Sequence, residues 1–196
     1  MRMLTPRCQE GNRRLVIHSK ETDMFNQLED FRNAWKEEVE DTLKVLAAIP
    51  DQALDQSVAP GFRDLRRLAW HLVESIGSIS GQIGLLTEGP HLDGRGNLEG
   101  PLPQGTRSIQ TAYARSSESL LEALNAWNDG DLQKVDVMYG HLRWKKGQSL
   151  FALMLHQVHH RGQMTVLMRQ AGIAVPEFYG PTQERWAILG MAAPAV

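Results

Sequence analysis

The sequence predicts an all-α protein built as a single four-helix bundle, and three observations carry that expectation. Four stretches repeat apolar residues at steps of three and four, the spacing that lines one face of a helix. Two of the connections, residues 88–105 and 129–146, are long, and the first holds five glycines and three prolines, so it is a loop rather than an element. The chain has 196 residues, 42% of them hydrophobic, which makes one domain with a sizeable core the default. In such a bundle, sites are built from side chains that point between the helices.

Composition narrows the function classes. Net charge is −2, and Lys and Arg are scattered rather than clustered, so the basic field that nucleic-acid binding needs is missing. No apolar run reaches the roughly 20 residues of a spanning helix, and no membrane partner is expected. The single cysteine, Cys8, excludes an internal disulfide and fits a cytoplasmic protein.

Residues 1–23 lack the apolar core of a secretory signal and read as a loosely ordered extension, with Cys8 and His18 in it carrying no function. The bundle then occupies residues 24–180. Its first helix is expected over Met24–Ala48, with Leu28, Phe31, Trp35, Val39, Leu43 and Leu46 as its stripe and Thr22 or Asp23 as its cap. Glu37, Glu38, Glu40 and Asp41 read as its solvated side. The second helix, about Phe62 to Thr87, carries Leu65, Leu68, Leu72, Ile76, Ile79, Ile83 and Leu86. His71 lies at the edge of that stripe, about 100° from its centre. Ser75, Ser78 and Gln82 follow along the same edge, the kind of flank that walls a small wet pocket. Glu74, one turn after His71, could orient an imidazole or face water, and water is the expectation.

The 88–105 loop can span roughly 60 Å when extended, whereas a 25-residue helix is about 37 Å long. It can therefore return the chain along the bundle and let the third helix run parallel to the second. His91 within it reads as a surface residue. The third helix, about Thr106 to Asn128, presents Ile109, Tyr113, Leu120, Leu124 and Trp127. VDVMYGHLRWKK in the next connection suits a short hairpin around Tyr139-Gly140. The fourth helix, Gly147–Gly172, is apolar around most of its circumference and is expected to be buried among its neighbours. Residues 181–196 read as an irregular tail.

The chemistry concentrates in that last helix. His156 and His160 are four residues apart, about 40° in direction and one turn in height. Two imidazoles at that spacing can close on one divalent ion. A histidine on a buried face is more often a satisfied core residue than a ligand, so the spacing alone leaves both readings open. His159 points about 80–100° away from the pair and reads as a neighbour or interface residue. Gln163 lies about 20° from His156 in direction, two turns on, where it could line a pocket. Arg161 suits a structural ion pair with a carboxylate of the first or second helix.

LAWHLVES in the second helix, LMLHQVHHRGQM in the fourth and the GIAVPEFYGP that follows resemble the DinB-like (YfiT-type) family, over roughly residues 24–180. The resemblance implies a bundle of up-down-down-up order with a long crossover between helices 2 and 3. It also implies one divalent ion, commonly nickel or zinc, held by three histidines, and the matching positions here are His71, His156 and His160. Three ligands leave the ion open positions, the arrangement of a catalytic rather than a structural centre. Members of the superfamily include transferases that use low-molecular-weight thiols. The expected function is therefore a metal-dependent transferase that activates such a thiol against a small-molecule electrophile. Cys8 in the extension is no nucleophile for this chemistry, which fits an external thiol or water as the attacker. A metal-dependent hydrolase and a non-catalytic metal- or ligand-binding bundle are the alternatives. A homodimer is expected from the resemblance and from five tryptophans, Trp35, Trp70, Trp127, Trp144 and Trp186, more than one bundle core needs.

Overall fold

The computed structural model describes residues 24–90 and 100–195. The expected extension at 1–23, with Cys8, His18 and the Thr22 or Asp23 cap, lies outside these residues, as does His91. Four long helices form the frame: α1 (Leu28–Ala48), α2 (Leu65–Gly81), α3 (Thr106–Ala123) and α4 (Lys146–Gln170). A two-stranded antiparallel hairpin, β1 (Val135–Met138) and β2 (Leu142–Lys145), precedes α4, and a short α5 (Gln183–Ile188) follows it.

Hydrogen bonds between helices give their directions. Arg32, early in α1, donates to the carbonyl of Leu121, late in α3, while Gln110, early in α3, donates to that of Leu46, late in α1. These two helices are antiparallel. Arg66 at the start of α2 reaches the carbonyls of Pro103 and Gln104, just before α3. Ser116 of α3 donates to the carbonyl of Glu88, beyond the end of α2, so α2 and α3 run parallel. Lys146 at the start of α4 donates to the Ile83 carbonyl past the end of α2, which makes that pair antiparallel. The order is up-down-down-up, and the chain between α2 and α3 is the long crossover.

The helix ends differ from the expected ones, for local reasons. α2 starts at Leu65 because the Asp64 carboxylate caps it, accepting the Arg67 N–H at 2.7 Å. It stops at Gly81 because Gly84 turns left-handed (φ +81°) and the Leu85 N–H closes on the Ser80 carbonyl at 3.1 Å. Ile83 and Leu85 remain buried beyond that stop. α1 and α3 take caps from elsewhere in the chain. Asp129 accepts the Leu28 N–H, and Asp51 accepts both the N–H and the hydroxyl of Thr106. These two bonds from Thr106 hold the Asp51 carboxyl below its ordinary pKa.

The core runs between the four helices, with Phe31 and Trp35 stacked at 5.8 Å and Leu65, Leu72, Ile76, Tyr113, Leu120, Leu150, Leu153 and Met164 fully buried around them. α4 is not buried all round. Leu155, His159, Gly162 and Val166 are exposed on its outer side, so its apolar circumference overstates its burial. The hairpin forms at the expected place, with Tyr139 and Gly140 both left-handed in its turn. Residues 181–196, expected to be irregular, contain α5, which Glu184 pairs to Arg169 of α4. Glu38 is not part of a solvated face. It binds the fully buried Arg161 of α4 at 2.5 Å and accepts from the Tyr179 hydroxyl, the ion pair expected for Arg161.

Candidate metal centre

A buried glutamine sets the register in which α2 and α4 meet. Gln157 donates from Nε2 to the Leu72 carbonyl at 3.0 Å and to the Ser75 hydroxyl oxygen at 2.9 Å. Leu72 and Gln157 therefore meet across the α2–α4 interface, and their chain neighbours His71 and His156 also face each other across it. Their Nε2 atoms lie 3.1 Å apart. His160 is one turn further along α4, and its ring centre is 4.6 Å from that of His71 and 4.5 Å from that of His156.

One ring nitrogen from each of the three lies within 4.8 Å of the others. An ion with metal–nitrogen bonds of about 2.0–2.1 Å places tetrahedral ligands roughly 3.3 Å from each other, close to the separation of the His71 and His156 nitrogens. Two of the rings are also held from behind. His71 Nδ1 donates to Glu74 Oε2 at 3.3 Å, and His160 Nδ1 donates to Gln163 Oε1 at 2.7 Å. Each contact leaves Nε2 with its lone pair toward the cluster, as metal-ligating histidines require. Among the described residues, no carboxylate or other histidine joins the three as a fourth ligand. The donor set fits a divalent ion with open positions.

The electrostatics favour the ligating form. Burial, with repulsion from the other imidazoles, pushes the His156 pKa down to about 4, and burial also lowers that of His160. Both rings are neutral at neutral pH, the state that binds metal. Burial pushes the Glu74 carboxyl up, but hydrogen bonds from His71 and Arg67 together outweigh it and hold the group below its ordinary value.

A cavity of about 560 Å³ opens onto His160 and Gln163. Leu68, Val166 and Leu167 form its apolar wall, and the segment before α2, with Val58, Phe62 and Arg63, forms its rim. A second cavity of about 420 Å³, between α4 and residues 175–182, reaches none of the three histidines.

Residues 24–194 match the DinB family. The chain belongs to the DinB family. It is 38% identical over 172 residues to the Bacillus subtilis (strain 168) protein YrdA, an alignment covering 87% of this chain and 99% of that one. A solved structure of a DinB-like protein from Bacillus cereus ATCC 10987 is also 38% identical, with a TM-score of 0.72, and covers 80% of this chain and all of its own.

Within this DinB chain the residues expected at the pocket separate into two groups. Gln163 lines the cavity and binds His160, and its amide nitrogen lies 3.2 Å from exposed His159, so the three form a short polar chain on α4. Ser75, Ser78 and Gln82 are elsewhere. Ser75 is buried against Gln157, and Ser78 lines a separate small cavity with Gly77 and Gly81. Gln82 accepts the Tyr139 N–H of the hairpin turn. The cavity lies toward the N-terminal end of α2, whereas these residues continue toward its C-terminal end. Glu74, expected to face water, is buried between His71 and Arg67. Glu74, which the sequence placed in water, and Gln157 and Arg63, which it did not single out, are further contributors. A carboxylate one turn after a candidate ligand and an amide within an apolar wall were the available signals for the first two.

Proposed function

We propose that this DinB chain is a metal-dependent transferase that joins a low-molecular-weight thiol to a small-molecule electrophile, with nickel or zinc at His71, His156 and His160. The observation that carries the reading is the convergence of three imidazoles, with no fourth ligand among the described residues, beside a cavity of small-molecule size that His160 lines. His71, His156 and His160 would hold a divalent ion, which would lower the pKa of a thiol or water bound there and supply a nucleophile at neutral pH. The chain's own groups do the rest. Glu74 and Gln163 fix the tautomer and direction of two rings, while Leu68, Val166 and Leu167 give the cavity an apolar wall. Hydrolysis, with water as the attacker, is the rival chemistry at the same centre.

The test incubates metal-loaded protein with a panel of thiols and 1-chloro-2,4-dinitrobenzene, with His156→Ala as the control. Adduct formation at least tenfold faster than in the control supports the transferase. Equal rates for every thiol overturn it, and metal-dependent cleavage of 4-nitrophenyl acetate in the same preparations would favour the hydrolase.

We also propose a homodimer. The exposed stripe of Leu155, Gly162 and Val166 on α4 supports it, as residues whose apolar character one chain leaves uncovered. The tryptophans support it less, since Trp35 is in the core and Trp70, Trp127 and Trp144 pack against it. No helix among the described residues is long and apolar enough to cross a membrane.

A further inference from the structure

Three arginines stand at the start of α2, and their environments differ. Arg66 pairs with Asp55 and Arg67 with Glu74. Arg63 has no hydrogen bond or ion pair with any described residue, and it lines the cavity that opens onto His160. Among the described residues, no Asp or Glu lines that cavity. Arg63 is the one Lys, Arg, Asp or Glu on its walls among the described residues. Around it the surface is apolar: Phe62 is 68% exposed, and Val58 and Val166 are each 55% exposed. Exposed aromatic and branched side chains around a concave site, with one charged group among them, are features of a ligand pocket rather than of ordinary solvated surface.

We propose that Arg63 selects ligands that carry an oxyanion, a carboxylate or a phosphate, on an apolar body that lies against Phe62, Leu68 and Val166. The inference rests on reading this cavity as the substrate pocket of the three-histidine centre, and it adds the chemical class of the molecule that enters. A guanidinium presents a planar fork of N–H donors that matches both oxyanions bidentately, which a surface lysine does not. The reacting end of the ligand then points toward His160 and the anion toward the rim. An uncharged analogue loses the charge-assisted contact while keeping the apolar one.

The test uses ¹⁵N-labelled protein stripped of metal by a chelator, so that the ion cannot itself bind the anion. Chemical-shift titrations compare 4-phenylbutanoate, 3-phenylpropyl phosphate and the neutral 4-phenylbutanamide. At least one anion is expected to bind about tenfold more tightly than the amide, the scale of one charge-assisted contact. Arg63→Gln should bring that ratio to about 1 without changing amide binding, and Arg63→Lys should keep part of it. Which anion wins distinguishes the carboxylate from the phosphate. An unchanged ratio in Arg63→Gln, or no shifts at cavity residues with any probe, overturns the proposal. So does an anion preference that appears only after metal loading and survives Arg63→Gln. Metal analysis of wild type and Arg63→Gln is a separate readout. Absence of metal from both would remove the three-histidine reading while the anion-to-amide ratio still reports on Arg63.

Discussion

Replacing Glu74 should weaken metal binding without unfolding the bundle. Its carboxylate is buried, and one oxygen, Oε2, accepts from both His71 Nδ1 at 3.3 Å and Arg67 at 2.8 Å. Outer hydrogen bonds of this kind typically change metal affinity by about 10–100-fold, or roughly 1.4–2.7 kcal/mol. The 3.3 Å contact is at the long edge of hydrogen-bond geometry, and its acceptor is shared, so the lower part of that range applies. Glu74→Ala frees the His71 ring and should cost about 10–30-fold in affinity. Glu74→Gln keeps an acceptor of the same shape without the charge and should cost about 3–10-fold. Stability should change by less than about 1 kcal/mol, since Arg67 is one-third exposed and can turn to water. Affinity is measured by competition with a chromophoric chelator, and folding by urea titration followed by circular dichroism. An affinity within twofold of wild type in a folded Glu74→Ala protein would refute the argument that this contact orients His71.

His71→Ala should remove stoichiometric metal, about one ion per chain, while the helical spectrum is retained, because the core is packed without the ion; full metal content by elemental analysis in this variant would end the three-histidine assignment. Gln157→Ala deletes the bonds to Leu72 and Ser75 and should lower stability by about 1–3 kcal/mol in urea titration. The Arg169 hydrogen bond holds the Glu184 carboxyl down at about 2, below its ordinary 4.5. A depressed acid contributes stability above its unfolded pKa and loses it as pH falls through its folded one, so α5 should loosen between about pH 4.5 and 2. Amide exchange at Arg185–Leu189 would follow this loosening, and protection that does not change across that window would contradict it. Light scattering at tens of micromolar should give twice 22.0 kDa for the proposed dimer, and the monomer mass would refute it.

How much of the fold was legible depended on what fixes each feature. Helix positions follow from apolar spacing within each segment, and Leu65, Leu68, Leu72, Ile76 and Ile79 are all buried as that spacing requires. Helix ends were less legible because they depend on chemistry outside the segment. Asp129 caps α1 from about a hundred residues away, and Asp51 caps α3 across the long crossover. Apolar composition also misjudged α4. Leu155 and Val166 are as apolar as Leu153 and Met164, and only the arrangement of the neighbouring helices decides which pair is covered.

The same division runs through the site. His156 and His160 share a helix, so their proximity is written in the spacing, whereas His71 can meet them only if α2 and α4 adopt one register. A shift of one residue along either helix rotates a side chain by about 100° and would take an imidazole out of the cluster. Apolar packing alone specifies such a register weakly, because neighbouring leucines and isoleucines can repack at modest cost. Gln157 supplies the missing specificity. Its amide is fully buried, and a slip that parted it from the Leu72 carbonyl would leave polar groups unpaired, at about 1–3 kcal/mol each. The polar residue that looked out of place in an apolar wall is thus the one that aligns His71 with His156.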